Sequence, residues 1–206
     1  EKDDSEYDGP KGFSIIESQD HGKGASIPAD SAICDDCLKE MLSQGRRKDY
    51  PFTTCTNCGP RFTLLKGIPY DRPLTAMDIF PLCPDCEKEF KDPLDRRFHH
   101  QTVCCPVCGP KYRLEDNEGI IDCDDPIAYL AERLDEGHIA IVKGWGGMHI
   151  CCNLERLDHM REWYGRKQKP FAIMAKDMDS LKRYGEPTEF EESLLTSANR
   201  PIVLIR

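Results

Sequence analysis

The sequence predicts a mixed fold class, in which a tandem four-cysteine zinc-finger region precedes an α/β domain. Three observations lead to this prediction. Four Cys-x-x-Cys pairs lie before residue 110, the residues around them repeat with a period near 50, and strand and helix patterns alternate after about residue 122. Paired cysteines at these spacings are typical of metal sites, and alternating strands and helices are typical of α/β domains.

The cysteine pairs form two sets of similar spacing, with 17 residues between the first two pairs and 18 between the last two. The pairs are Cys34 and Cys37, Cys55 and Cys58, Cys83 and Cys86, and Cys105 and Cys108. Two thiolates from one tight turn reach one metal ion, and two such turns complete the tetrahedral sulfur site that Zn²⁺ favours. We predict two structural Zn²⁺ ions with sequential pairing. The alternative is a crossed pairing, in which the outer pairs share one ion and the inner pairs share the other.

The flanking residues show that one unit is duplicated, with the units at about 34–58 and 83–108. Arg46-Arg47 and Arg96-Arg97 each lie nine and eight residues before the third cysteine of their unit. These arginines could offset the negative charge of a zinc–thiolate centre, with Glu40 and Glu89 as salt-bridge partners. A solvated surface position is the alternative.

Other uses of the cysteines are disfavoured. Secreted disulfides need an extracellular address, and no apolar signal stretch opens the chain, so twelve cysteines indicate a reducing cytoplasm. A redox Cys-x-x-Cys normally occurs once. His99 and His100 are not needed as ligands because the cysteine sets are complete, and Cys104 is out of register with the repeat. The remaining cysteines, which are predicted to be small buried or half-buried residues, are Cys123, Cys151 and Cys152.

The composition argues against nucleic acid and membrane as partners. The 206 residues carry a formal charge of −9. Eight thiolates and two divalent ions together add four negative charges, which brings the metal-loaded chain to about −13. Such a chain is repelled by nucleic acid. No apolar run is long enough to span a membrane.

We divide the chain into a linker at 1–26, the zinc region at 27–121 and an α/β part at 122–206. The linker contains one short strand pattern at Phe13-Ser-Ile-Ile16. The zinc region has few apolar residues and many prolines, so metal rather than a large apolar core must stabilise it.

The α/β part begins with a helix that Asp124 or Asp125 caps, with Pro126 in its first turn and Gly137 after its end. The elements predicted after it are strands at 138–143, 148–152, 170–175 and 201–205, and helices at 155–164, at 178–184 and from Thr188, where Thr188 and Glu191 form a capping box. The part ends in a strand, so we expect an incomplete domain.

Basic residues in this part are candidates for binding an anion. Lys143 ends a strand beside the glycine turn 144–147, and Arg166, Lys167 and Lys169 lie at a helix-to-strand junction. Guanidinium and ammonium groups there could hold phosphate or carboxylate. A plain glycine turn and a solvated charge cluster are the alternatives.

Several long motifs resemble the HypF family, the carbamoyltransferases of [NiFe]-hydrogenase maturation. In the zinc region they are Ile33-Cys-Asp-Asp-Cys37, Tyr50-Pro-Phe52, Cys55-Thr-Asn-Cys-Gly-Pro-Arg-Phe62, Pro69-Tyr-Asp-Arg-Pro73 and Asp95-Arg-Arg-Phe-His99. In the α/β part they are Ile141-Val-Lys-Gly-Trp-Gly-Gly-Met-His149 and Lys169-Pro-Phe-Ala-Ile-Met174, which look like the beginning of a YrdC-like domain.

The resemblance implies a cytoplasmic enzyme that uses carbamoyl phosphate and ATP, with Mg²⁺, to form carbamoyl-adenylate. The carbamoyl group would then pass to the C-terminal cysteine of HypE for synthesis of the cyanide ligand. By the same resemblance, Lys143, Arg166 and Lys169 would bind the nucleotide and carbamoyl groups. The catalytic residues stay unknown, and this chain alone is expected to be inactive.

One departure from the family concerns Trp163-Tyr164, which stand where the family usually has Arg-Lys. The pair could serve stacking or packing instead of phosphate binding. Two other functions stay open: a non-catalytic zinc docking module, and a YrdC-like nucleotide-binding enzyme that acts on another carbamoyl acceptor.

Overall fold

The computed structural model describes residues 27–166 and 168–206. The predicted linker 1–26, with its strand at Phe13–Ile16, and Lys167 lie outside the described residues. Six α-helices and four strands are present in the described ranges. They are α1 (Asp35–Leu42), α2 (Pro84–Lys91), β1 (Leu114–Asp116), β2 (Gly119–Ile121), α3 (Pro126–Asp135), β3 (Ala140–Lys143), β4 (Met148–Cys151), α4 (Leu157–Trp163), α5 (Met178–Leu181) and α6 (Glu189–Thr196).

Helices α1 and α2 start in the same way. Cys34 and Cys83 are their N-cap residues, so the second cysteine of each pair lies in the first turn. Acidic side chains in those turns match the positive end of the helix dipole, and Pro84 occupies the first turn of α2, where no backbone N–H is required. The chain thus places both cysteines of a pair on one side of a helix N-terminus.

The largest apolar cluster of the zinc region is small. Its buried members are Tyr50, Phe52, Leu64, Met77 and Cys104. The other two buried clusters consist almost wholly of cysteines, with Val103 as the one aliphatic buried member. This distribution agrees with the sequence-based expectation that an apolar core alone does not hold residues 27–121.

The described residues contain two separate hairpins, β1–β2 at the end of the zinc region and β3–β4 in the α/β part. Strands β1 and β2 pair antiparallel, and β3 pairs antiparallel with β4 in a register that places Lys143 opposite Met148. Two predicted helix starts are confirmed: the Asp125 side chain accepts from the N–H groups of Ile127 and Ala128, and Thr188 and Glu191 form the predicted capping box. Gly137 follows α3 with φ of +88°.

Two predicted strands are wrong. Within the part of the chain that the structure describes, residues 170–175 and 201–205 form no strand. A strand exists only with a partner, and these segments have none in the described sheets, each of which has two strands. Met174 is 97% exposed and Ile202 is 89% exposed, so their apolar side chains lack a cover as well.

Several boundaries also shift. The helix predicted at 155–164 starts as a 3₁₀ turn at Leu154–Arg156 and continues as α4, and the helix predicted at 178–184 ends at Leu181. The strands predicted at 138–143 and 148–152 are shorter, at 140–143 and 148–151. The division at residues 121 and 122 stays a prediction.

The β3–β4 hairpin touches the zinc region through its tip. The ring of Trp145 packs edge-on against Phe52, with centroids 4.8 Å apart, and Phe52 also packs against Tyr112. A second contact joins the Ala32 N–H to the Ala198 carbonyl at 2.7 Å. Among the described residues, no helix has both the length and the apolarity that crossing a membrane requires.

Candidate metal centres and the cation cluster

The structure groups the eight predicted cysteines into two sequential sets. One set is Cys34, Cys37, Cys55 and Cys58, and the other is Cys83, Cys86, Cys105 and Cys108. Within each set all four Sγ atoms lie within 4.8 Å of one another. The crossed alternative does not occur, because each set joins the helical pair and the turn pair of one unit.

The sulfur geometry fits a tetrahedral metal ion. The Sγ–Sγ separations are 3.7 Å for Cys34–Cys55 and 3.8 Å for Cys55–Cys58 in the first set. The second set repeats them, with 3.7 Å for Cys83–Cys105 and 3.8 Å for Cys105–Cys108. A tetrahedron with Zn–S bonds of about 2.3 Å has sulfur–sulfur edges of about 3.8 Å. All of these cysteines are free thiols, so neither set is a disulfide.

The turn pairs depend on a glycine that follows the last cysteine. Gly59 has φ of +92°, and a Cβ there would lie 2.3 Å from the Thr54 Cγ2 atom. A Cβ on Gly109 would lie 2.3 Å from the Tyr50 hydroxyl. The Cys-Gly step of each unit therefore lets the knuckle lie against its neighbours at a distance that a side chain would prevent.

The arginine pairs are exchanged between the two units. Arg46, from the first unit, donates from Nη1 to the Cys86 Sγ of the second unit at 3.1 Å. Arg96, from the second unit, donates from Nη1 to the Cys37 Sγ of the first unit at 3.0 Å. Each metal set is thus approached by a guanidinium group from the other repeat.

The second arginine of each pair is buried between the units. Arg47 is 1% exposed and its Nε donates to the Cys104 carbonyl at 2.9 Å. Arg97 is 4% exposed and its Nε donates to the Thr54 carbonyl, also at 2.9 Å. The accepting carbonyls precede Cys105 and Cys55, so the buried arginines fix the backbone that enters each turn pair.

Glu40 and Glu89 complete this network, as the sequence predicts. Arg47 contacts Glu89 in a two-pronged ion pair, with N–O distances of 2.9 and 2.5 Å. Burial opposes ionisation of Glu89, but the hydrogen bonds from Arg47 and Arg46 outweigh it and lower its pKa to about 2. Glu40 pairs with Arg96 and Arg97, and its pKa is lowered for the same reasons. The alternative of a solvated surface position is wrong for the two buried arginines.

The histidines and the other cysteines take no part in either set. His100 is buried, and its Nε2 contacts the hydroxyl groups of Thr54 and Thr102 at 2.9 and 3.1 Å. Burial and the charges of nearby arginines, Arg61 first, lower the His100 pKa well below 6.5, so the ring is neutral. Cys104 belongs to the apolar cluster and contacts the Tyr50 hydroxyl. Cys123, Cys151 and Cys152 are half-buried, as expected.

The basic candidates of the α/β part fall into two places. Arg161 donates to the carbonyls of Arg166 and Lys169 at 2.9 and 3.0 Å, which brings these two residues into one loop. The guanidinium groups of Arg161 and Arg166 lie 5.0 and 5.1 Å from the ring centre of Phe171. We call Arg161, Arg166, Lys169 and Phe171 the cation cluster.

Lys143 lies apart from the cation cluster in the contacts that the structure describes. It is exposed at the end of β3, and no hydrogen bond or ion pair of the described residues joins it to Arg166 or Lys169. Pairing of β3 with a strand at 170–175 would have brought Lys143 close to the junction residues, but that predicted strand is absent. Trp163 and Tyr164, 59% and 54% exposed, are surface residues beside the cluster and are not core residues.

Arg161 is the residue of this cluster that the sequence argument missed as a positioning group. Its place in α4, five residues before Arg166 and eight before Lys169, allows its side chain to bond to both carbonyls. The available signal was its position just ahead of the basic stretch. Arg161 donates hydrogen bonds to these backbone carbonyls, and its guanidinium group lies over the Phe171 ring.

Comparisons with known proteins cover both parts of the chain. A family model described as HypF finger matches residues 33–65 and 82–115, and a Sua5/YciO/YrdC model described as telomere recombination matches residues 132–206. A carbamoyltransferase HypF of Rhodobacter capsulatus is 43% identical over 199 residues, which is 95% of this chain and 27% of that protein. A probable carbamoyltransferase HypF of Methanocaldococcus jannaschii is 48% identical over 202 residues, 94% of this chain and 26% of that protein.

Solved structures agree with these relatives. The crystal structure of HypF from T. kodakarensis matches with a TM-score of 0.85 and 47% identity, over 89% of this chain and 25% of that one. A full-length HypF in a phosphate- and nucleotide-bound form matches with a TM-score of 0.84 and 40% identity, over 94% and 26%. The chain spans about a quarter of the length of these relatives. The motif resemblance is confirmed, and the chain belongs to the HypF family of carbamoyltransferases.

Proposed function

We propose that this chain supplies the metal-stabilised region and part of the nucleotide-handling domain of a cytoplasmic carbamoyltransferase. The enzyme would take carbamoyl phosphate and ATP, form carbamoyl-adenylate, and pass the carbamoyl group to the C-terminal cysteine of HypE. The observation that carries the proposal is the similarity of both parts to proteins named carbamoyltransferase HypF. The cation cluster supplies a local place for anions on an acidic chain.

Three observations support nucleotide or carbamoyl binding at the cation cluster. Lys169 is exposed, so its ammonium group is available to an anion. The Arg166 Nε is buried and has no hydrogen-bond partner among the described residues, which leaves a donor for a bound group. A relative of 40% identity has been solved with phosphate and nucleotide bound, which supports a nucleotide function for this family member.

The proposed chemistry needs positive charge. Hydrolysis of carbamoyl phosphate would first release carbamate and inorganic phosphate. In adenylate formation a carbamate oxygen then attacks the α-phosphorus of ATP, a new O–P bond forms, and pyrophosphate leaves with the electrons of the broken bond. Two anions must approach each other, so cations that hold them and offset developing charge lower the barrier. Lys169 and Arg166 would bind these oxygens, with Lys143 as a further cation and Mg²⁺ carried by the ATP phosphates.

Exchange of labelled pyrophosphate into ATP tests this function. A protein of full family length that contains these residues should catalyse exchange only when carbamoyl phosphate is present. The 206-residue chain should show little or none, because it spans about a quarter of the relatives' length. A full-length protein without carbamoyl-phosphate-dependent exchange would contradict the proposal, whatever its metal content.

We also propose that each four-cysteine set holds one structural Zn²⁺. Four thiolates close the coordination shell, so no position is left for water or substrate, and the ion contributes folding stability rather than chemistry. In each unit the two turn cysteines and the two helix cysteines supply the ligands.

Cobalt substitution should show that these sites are closed. With Co²⁺ in both sets, the visible spectrum should have the intensity of tetrahedral thiolate coordination, and ATP and carbamoyl phosphate should leave it unchanged. Imidazole, which can enter an open coordination position, provides the control. A spectrum that changes when either substrate is added would show an open metal site and would refute a purely structural function.

A scaffold function for the zinc region is the second candidate. The contact of Trp145 with Phe52 favours it, because the zinc region bears directly on the turn that follows Lys143. Capture of HypE by the full-length protein, with and without residues 27–114, separates the possibilities. If the zinc region is a docking module, its deletion abolishes capture. If it serves only this protein's own domains, capture persists while exchange is lost.

A further inference from the structure

We infer that the two four-cysteine sets form one coupled metal-binding unit, in which each site is completed electrostatically by arginines of the other repeat. The inference rests on the proposal that both sets hold metal, which the metal content of the unaltered chain tests separately. It goes beyond that proposal because two sites of identical ligands could equally bind their ions independently.

The contacts are reciprocal in detail. Arg46 donates to Cys86 and pairs with Glu89, whereas Arg96 donates to Cys37 and pairs with Glu40. The loops that carry the arginines adopt the same unusual turn, since Asp49 and His99 have φ of 56° and 51°. Few non-glycine residues adopt positive φ, so its recurrence at matching positions shows that the two loops share one backbone conformation.

The negative charge of each metal centre requires positive side chains close to it. A divalent ion with four thiolates carries two negative charges, and Glu40 or Glu89 adds a third beside it. A buried or half-buried group of this charge is stable only with positive partners close by. The arginines meet that need, and Arg47 contacts both glutamates, with N–O distances of 3.2 Å to Glu40 and 2.9 Å to Glu89. The network therefore spans the two units without interruption.

Connectivity turns this exchange into coupling. Arg46 and Arg47 lie on the loop between Cys37 and Cys55, so the first metal ion fixes the ends of the loop that serves the second site. Arg96 and Arg97 lie between Cys86 and Cys105, so the second ion fixes the loop that serves the first. When one site loses its ion, its loop is no longer held at both ends. The other site then loses its positive partners.

Disabling one site is the first arm of the test. Cys34→Ser removes a half-buried ligand of the first set that has no described contact with the exchanged arginines. Cys83→Ser is its counterpart in the second set, where the Arg46 Nη1 atom lies 4.0 Å from the Cys83 Sγ atom. If the two sites are coupled, Cys34→Ser should lower the metal affinity of the intact second set at least tenfold, measured by competition with a chromophoric chelator. An intact set that keeps one ion with unchanged affinity would overturn the inference.

The second arm leaves all eight cysteines in place, so it does not depend on a ligand variant that folds. With cadmium in both sets, NMR resolves each site and assigns it through couplings to the cysteine Hβ protons. Arg46→Gln should shift the signal of the second set and speed metal loss from it about tenfold, and Arg96→Gln should do so for the first set. Lys48→Gln, two residues from Arg46 and paired only with exposed Asp49, is the matched control.

The two arms have decisive outcomes. If Arg46→Gln changes the first set and leaves the second set unchanged, the arginines serve their own unit and the exchange is wrong. If neither arginine variant changes either signal, the arginine–cysteine contacts do not contribute to metal binding, and the inference is equally overturned. Crossed effects, with the control silent, support it.

Discussion

In a protein of full family length, Lys169→Ala should abolish carbamoyl-dependent exchange of pyrophosphate into ATP, and Arg166→Ala should weaken it strongly. The physical reason is the loss of a charged contact to phosphate, which is worth about 1.5–3 kcal/mol and so one to two decades in rate or affinity. Both residues lie in the loop that Arg161 organises, and the exposed Lys169 side chain has no competing ion pair among the described residues.

Two controls make this result specific. Lys176→Ala removes an exposed cation seven residues further along and should keep exchange near the unaltered rate. Circular dichroism of each variant shows that the fold is intact. Exchange at full strength by the Lys169→Ala enzyme would mean that the nucleotide site lies elsewhere in the protein.

Removing both metal ions should unfold residues 27–114 and leave much of the α/β secondary structure in place. The zinc region has a single mainly apolar cluster, while its other two buried clusters are built largely from the cysteines. Structural Zn²⁺ contributes apparent binding free energies of about 10–16 kcal/mol, which for units of this size is folding free energy. Without the ions, Arg47 and Arg97 would also lose the negative zinc–thiolate centres beside them and keep only the two glutamates as charged partners, which disfavours their burial.

Amide hydrogen exchange after strong chelation measures this directly. Protection should be lost at residues in α1 and α2 and retained in α3 and α6, with two equivalents of metal released per chain. Cys152→Ser, which changes a cysteine outside both sets, should behave as the unaltered protein. Protection of α1 and α2 in metal-free protein would show that packing alone holds this region.

The elements that the sequence predicts well are those determined locally. A Cys-x-x-Cys turn, the Asp125 cap and the Thr188–Glu191 capping box each involve residues a few positions apart, and all appear in the structure. The segments at 170–175 and 201–205 have strand-like composition, but a strand needs a partner that composition does not supply. Neither segment belongs to a sheet of the described residues.

The features of the site that the sequence did not predict are contacts between residues far apart in the chain. The spacing of Arg46 from Cys55 repeats in Arg96 and Cys105, which indicates duplicated roles but not the unit that each arginine serves. The Trp145 contact with Phe52 was missed because a tryptophan between glycines is equally typical of an exposed turn. Both relations join residues tens of positions apart.

The exchanged arginines also bear on the symmetry of the region. Arg46 reaches the second unit in the manner that Arg96 reaches the first, which is the self-complementary contact of two identical copies related by a twofold axis. Within one chain, the residues that join the two units, 59–82, keep this pseudo-dimer together at high effective concentration. One repeat of about fifty residues on its own would have its positive partners only on a second copy. A single repeat would therefore resemble one subunit of an obligate dimer rather than an independent domain.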